Sequence, residues 1–185
     1  MQRLDPRSTV LLVVDVQERL ATAMPRAAMD QLVSSALILL ESAHLLGVPI
    51  VATEQYPKGL GPTVAPLAEK LRALGVEPID KVTFDACGEP RVTRALAEHS
   101  PRAVVLAGME THICVFQTAR ELARRGFDVH VVADGVASRR EENRALGLAL
   151  CERAGAVATP AETVVFDWLG RAGSEVFKAI SKLMR

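Results

Sequence analysis

The segment Thr9 to Val14 reads TVLLVV, six residues with no polar break except the opening threonine. An uninterrupted β-branched run of this length suits a strand buried on both faces, as in a parallel sheet. The same kind of run recurs at Pro49–Thr53, Glu77–Asp80, Ala103–Ala107, Asp128–Ala133 and Ala156–Ala158. Between these runs lie longer stretches with apolar residues at helical spacing: Asp30–Leu46, Ala65–Leu74, Glu89–His99, Ile113–Arg125 and Arg140–Ala154. Four of these stop at a glycine, at Gly47, Gly75, Gly126 and Gly155, as helices commonly do. Pro160 opens a further helix through Trp168, and Glu175–Met184 reads as a last amphipathic helix. Strands separated by helical crossovers predict an α/β fold with three α/β/α layers, Rossmann-like, around a parallel sheet.

With 185 residues and no linker, repeat or low-complexity tract, the chain reads as one domain over 1–185. The core is expected over about 8–168, with a C-terminal helix at about 174–184. Lys plus Arg and Asp plus Glu both number 22. That balance supplies no global field for nucleic acid or an anionic membrane, and it does not oppose self-association. No stretch is apolar enough to span a bilayer, and the opening MQRLDPRSTV lacks a signal-peptide core, so the cytoplasm is the expected location. Cys87, Cys114 and Cys151 are too few and too scattered for a disulfide framework, and no CxxC is present.

In such sheets, ligands bind outside the carboxyl ends of the strands, where strand order reverses. Asp15 follows the first run, Lys81 the third, and Cys114 stands near the start of the helix after the fourth. Taken singly, Asp15 reads equally as a helix cap, Lys81 as a surface charge and Cys114 as an inert buried thiol. Together they supply a nucleophile, a proton acceptor and a cation. The helix start that carries Cys114 favours a thiolate and offers backbone amides to an oxyanion. Acyl transfer from a small amide or ester is the natural chemistry of this set.

The stretches LLVVDVQ, TEQYPKGLG, DKVTFDA and GMETHICVFQTARELARRG resemble the isochorismatase-like cysteine hydrolase superfamily, which includes nicotinamidases, carbamoylsarcosine amidohydrolases and isochorismatases. The resemblance runs from Leu11 to about Trp168 and is closest to the branch of little-characterised hydrolases. It implies a six-stranded parallel sheet, an Asp15–Lys81–Cys114 triad, and a cis peptide at Met109–Glu110 that turns backbone amides toward the substrate oxygen. It also implies that Gln17, Gln55, Phe84, Glu110 and Thr111 edge the pocket, and that the chain forms a dimer or tetramer.

The departures from the family pattern narrow the reading. Nicotinamidases carry an Asp-x-His metal motif after the second strand, where this chain reads VATEQYPKGLGPT without a histidine. The histidines at 44, 99, 112 and 130 do not form that cluster, so neither metal nor other cofactor is expected. His112 is expected to face solvent or cap a turn, and Arg139-Arg140 and Arg124-Arg125 to be solvated helix ends. The expected function is therefore metal-independent hydrolysis of a C–N bond in a small amide through a thioester on Cys114. Asp15 moves the proton and Lys81 steadies both anions, while Phe84 and Tyr56 wall a small pocket. Two other readings stand beside it: acid-base vinyl-ether hydrolysis with Asp15 as the acid, and a scaffold that keeps the fold without activity.

Overall fold

The computed structural model describes residues 3–184. Six strands, β1 (Thr9–Val14), β2 (Ile50–Gln55), β3 (Ile79–Lys81), β4 (Ala103–Met109), β5 (Asp128–Ala137) and β6 (Val157–Thr159), form one sheet. Its order is β3-β2-β1-β4-β5-β6, and every neighbouring pair is parallel. Strand order reverses between β1 and β4, which places the switch point beside Asp15.

Period-two alternation along β1 feeds two cores. Leu11 and Val13 enter one, and Val10, Leu12 and Val14 enter the other. The first is completed by α2 (Arg26–Leu46), α4 (Ala65–Ala73), α8 (Ala161–Leu169) and α9 (Glu175–Leu183), with Leu39, Leu67, Trp168 and Ile180 buried in it. On the opposite face lie α5 (Pro90–His99), α6 (Phe116–Arg124) and α7 (Glu141–Arg153), contributing Val92, Leu122 and Cys151. The strictly apolar strand thus has helices on both sides, as its composition requires.

Several boundaries differ from the sequence expectation, and most differ in one direction. Strand β2 runs on to Gln55, β3 to Lys81, β4 to Met109 and β5 to Ala137. An apolar run ends at its first polar residue, but the backbone ladder does not. Gln55 still pairs with Lys81, and Met109 with Ala137. The expected Glu77–Asp80 strand is correspondingly displaced toward Lys81. Helix α2 begins at Arg26, immediately after Pro25, one turn before the expected Asp30. Two short helices, α1 (Glu18–Ala21) and α3 (Pro57–Leu60), were not expected.

Candidate active site

Asp15 directly follows β1 with its backbone in the left-handed region, φ 54°, a conformation aspartate tolerates better than most residues. Its amide donates to Thr53 O at 3.1 Å. The carboxylate is fully buried; Oδ1 accepts from Thr53 Oγ1 and Oδ2 from Lys81 Nζ, both at 2.7 Å. Lys81 is the last residue of β3, and its side chain is buried too. Its ammonium donates to Asp15 Oδ2 and Gln55 Oε1 at 2.7 Å, and lies 3.1 and 3.2 Å from the carbonyls of Thr83 and Phe84. A buried ion pair is tolerable only when hydrogen bonds satisfy the remaining groups, and here they do.

The third group arrives from β4. At Gly108, φ is 137°, and a Cβ there would lie 2.0 Å from the carbonyl oxygen of Val14. Only glycine lets β4 come that close to β1 just where the two strands end. The following Met109–Glu110 peptide is cis. A π-helical turn, Thr111–Val115, then leads into α6 and carries Cys114. Cys114 is 5 % exposed, and its thiol lies near enough to Asp15 and Lys81 for both charges to act on it. Burial, then the Asp15 carboxylate, push its pKa up to about 12, while the nearby Lys81 pulls the other way. A helix start was expected to favour a thiolate. The resting thiol is neutral because burial outweighs the favourable partial charges of the turn.

The turn is clamped from outside by α7. A Cβ on Gly147 would meet His112 N at 2.7 Å and the carbonyl carbon of Thr111 at 2.8 Å. His112, expected to face solvent or cap the turn, has its ring held between Ser138 Oγ, 3.0 Å from Nδ1, and Asn143 Nδ2, 3.4 Å from Nε2. A glycine in the middle of the helical stretch RALGLAL was the signal available for this contact, since mid-helix glycine usually has a packing reason.

The remaining expected site residues divide. Gln55 steadies Lys81 through Oε1 and donates from Nε2 to Val82 O at 2.8 Å. Gln17 is fully buried and spent on architecture: Oε1 accepts from the Gln55 amide, and Nε2 donates to Gln55 O and Gly61 O. It fastens the loop after α3 onto the segment after Asp15. Thr111 is fully buried, and its Oγ1 has no hydrogen-bond partner. Met109 is fully buried, whereas Phe84 is 54 % exposed and reaches Lys81 through its carbonyl alone. Glu110 is buried, and its Oε2 accepts from Arg139. Beside Lys81 lies a cleft of about 290 Å³, walled by Tyr56, Pro57 and Val82. Among the described residues, no three His, Cys, Asp or Glu side chains are grouped to hold a metal ion.

The arrangement brings a buried thiol, a carboxylate able to take its proton and an ammonium together at the switch point. That set can perform nucleophilic acyl chemistry. Comparison with known proteins gives the family. The isochorismatase domain model matches residues 9–163. The secreted isochorismatase effector Isc1 of Phytophthora sojae is 39 % identical over 99 % of this chain and 87 % of its own length. The structure of MAR1 ribonuclease from Caenorhabditis elegans superposes with a TM-score of 0.91 and 36 % identity, covering 99 % of this chain and 92 % of that one. The YcaC product of Escherichia coli, described as an octameric hydrolase of unknown specificity, superposes with a TM-score of 0.83 at 22 % identity, covering 92 % and 84 %, which shows a shared fold. This chain belongs to the isochorismatase family.

Proposed function

We propose that this protein is a cysteine hydrolase that cleaves a C–N bond of a small amide through a thioester on Cys114. The observation that carries the reading is the buried Asp15–Lys81 pair, 2.7 Å apart, with the Cys114 thiol near enough for both charges to act on it. Sulfur attacks the carbonyl carbon as the thiol proton passes to Asp15, forming the C–S bond. The oxyanion is received by backbone amides of the turn at 111–114. Asp15 returns the proton to the leaving nitrogen, the C–N bond breaks and the amine departs. Water then adds to the thioester with Asp15 as base, and the C–S bond breaks to release the acid and restore the thiol. Lys81 stays charged throughout and counters whichever anion is present.

The test is a panel of small amides, ureides and carbamoyl compounds with wild type and Cys114→Ala side by side. Turnover by wild type alone, with an acyl adduct on Cys114 caught by mass spectrometry, supports the reading. Undiminished turnover by Cys114→Ala overturns it.

The Phytophthora relative's description motivates a second reading, vinyl-ether hydrolysis with Asp15 as the acid. Isochorismate hydrolysis that survives Cys114→Ala would establish it. The nematode relative is described as a ribonuclease. Here a net charge of zero and a thiol only 5 % exposed argue against a polynucleotide substrate. Self-assembly fits the neutral charge and the exposed Tyr56, Val82 and Phe84, and the YcaC protein is an octamer. No described helix is long and apolar enough to cross a membrane. Three free cysteines suit a reducing compartment such as the cytoplasm.

A further inference from the structure

Helix α7 has two faces, and a single chain uses one of them. On the inner face Gly147 and Cys151 are buried, and Gly147 lies against the nucleophile turn. The outer face reads Glu142, Ala145, Leu146, Ala149, Leu150 and Arg153, at the i, i+3, i+4, i+7, i+8, i+11 spacing of one helical stripe. Every residue of the stripe is exposed, Leu146 at 62 % and Leu150 at 38 %. Exposed leucines scattered singly are ordinary, but leucines one turn apart on one stripe make a surface for another molecule. The side chains of Glu142 and Arg153 have no hydrogen bond or ion pair among the described residues.

The stripe is complementary to itself in one orientation. Let two copies of α7 run antiparallel, with a two-fold axis midway between Leu146 and Ala149. Glu142 of one copy then faces Arg153 of the other, Leu146 faces Ala149, and Leu150 faces Ala145. Each pairing recurs across the axis, as two-fold symmetry requires. Every leucine meets an alanine, the large-against-small alternation that packs closely, and every charge meets its opposite, which fixes register. A parallel pair would set Glu142 against Glu142 and Arg153 against Arg153.

We infer that the outer face of α7 is an interface between two copies of this chain, packed antiparallel across a two-fold axis. The helix has 13 residues and is about 20 Å long. A contact of that length falls short of the roughly 1,000 Å² that a stable interface clears, so the dimer should dissociate on dilution. The second copy sits on the far side of α7 from Gly147, behind the nucleophile turn. The inference therefore does not depend on the reaction proposed for Cys114.

Sedimentation equilibrium of the full chain over a concentration series reads the dissociation constant. Glu142→Arg and Arg153→Glu each set like charges together at both ends of the contact, and each should weaken association at least about tenfold. Glu142→Arg/Arg153→Glu restores opposite charges and should return to within about threefold of wild type. Mixing the two single variants should give a heterodimer tighter than either variant alone. Leu146→Glu should weaken association at least about tenfold by removing apolar contact from both copies. These are exposed helix positions, so the melting temperature of dilute protein should stay within about 2 °C of wild type. A wild type that stays monomeric throughout overturns the inference. So does association that neither single variant weakens, as expected of an assembly held through Tyr56, Val82 and Phe84. Weakening by both single variants without rescue in the double variant overturns the antiparallel register and the inference with it.

Discussion

Replacing Lys81 with methionine removes the cation and keeps most of the side-chain volume. The lost contacts are Asp15 Oδ2, Gln55 Oε1 and the carbonyls of Thr83 and Phe84. Asp15 is then a fully buried carboxylate with only Thr53 Oγ1 as a side-chain donor. Breaking one partner out of a buried pair costs about 3–5 kcal/mol. For a chain of this length each kcal/mol moves the melting temperature about 2–4 °C, so the drop should be roughly 6–20 °C. Adding Asp15→Asn removes the stranded charge while an amide can still meet Thr53. The double variant should therefore regain at least about 1 kcal/mol over Lys81→Met alone. Urea unfolding followed by circular dichroism gives both values. A Lys81→Met variant within about 0.5 kcal/mol of wild type, or strictly additive effects in the cycle, would refute the claim that Asp15 and Lys81 form one electrostatic unit.

Four further outcomes follow from the site. Alkylation of Cys114 by iodoacetamide should keep rising from about pH 9 toward about pH 11, where an ordinary cysteine levels off; a plateau below pH 9 would contradict a thiol pushed up to about 12. All three thiols are raised to about 12 by burial. The unfolded chain thus sheds those protons first, and stability present near neutral pH should decline between about pH 9 and about pH 12 in urea midpoints. Gly108→Ala should destabilise by about 3 kcal/mol or more, because its Cβ would fall 2.0 Å from a backbone oxygen at a positive φ; near-wild-type stability would show that β4 can retreat from β1. Gly147→Ala should lose stability and at least about tenfold in turnover, although helix propensity alone favours alanine by about 1 kcal/mol. A stabilised, fully active variant would mean that α7 does not set the nucleophile turn.

The parallel sheet was legible because its evidence is local. TVLLVV and AVVLA can hardly be anything but strands buried on both faces, and a glycine after a helical pattern marks its end. The strand ends were not legible, for one reason. Asp80–Lys81, Glu54–Gln55 and Gly108–Met109 stay in the ladder although their side chains break the apolar pattern. The site residues on β2, β3 and β4 are thus the last rungs of strands and not the first residues of loops, which holds them more rigidly than a loop would. Asp15, Lys81 and Cys114 were nameable from chemistry plus a topological rule. Glu110 with Arg139, and His112 with Ser138 and Asn143, were not. Each set joins β4's end to β5's end or to α7, and no spacing in the sequence records which loops meet there.

The neutral thiol and the role proposed for it are compatible once the charge of the whole site is considered. Before reaction the triad holds a thiol, a carboxylate and an ammonium, and sums to zero. After the proton moves to Asp15 it holds a thiolate, a carboxylic acid and the same ammonium, and again sums to zero. A pKa of about 12 describes losing the Cys114 proton to water, which would leave a net negative charge in a site where Asp15 and Lys81 are fully enclosed. Transfer within the crevice creates no net charge and so avoids most of that cost. In the proposed mechanism Lys81 therefore serves less to lower the thiol's affinity for its proton than to keep the sum at zero on both sides of the transfer. Without it, as in Lys81→Met, the triad carries a negative charge in either state, and the same transfer takes place against an unbalanced field.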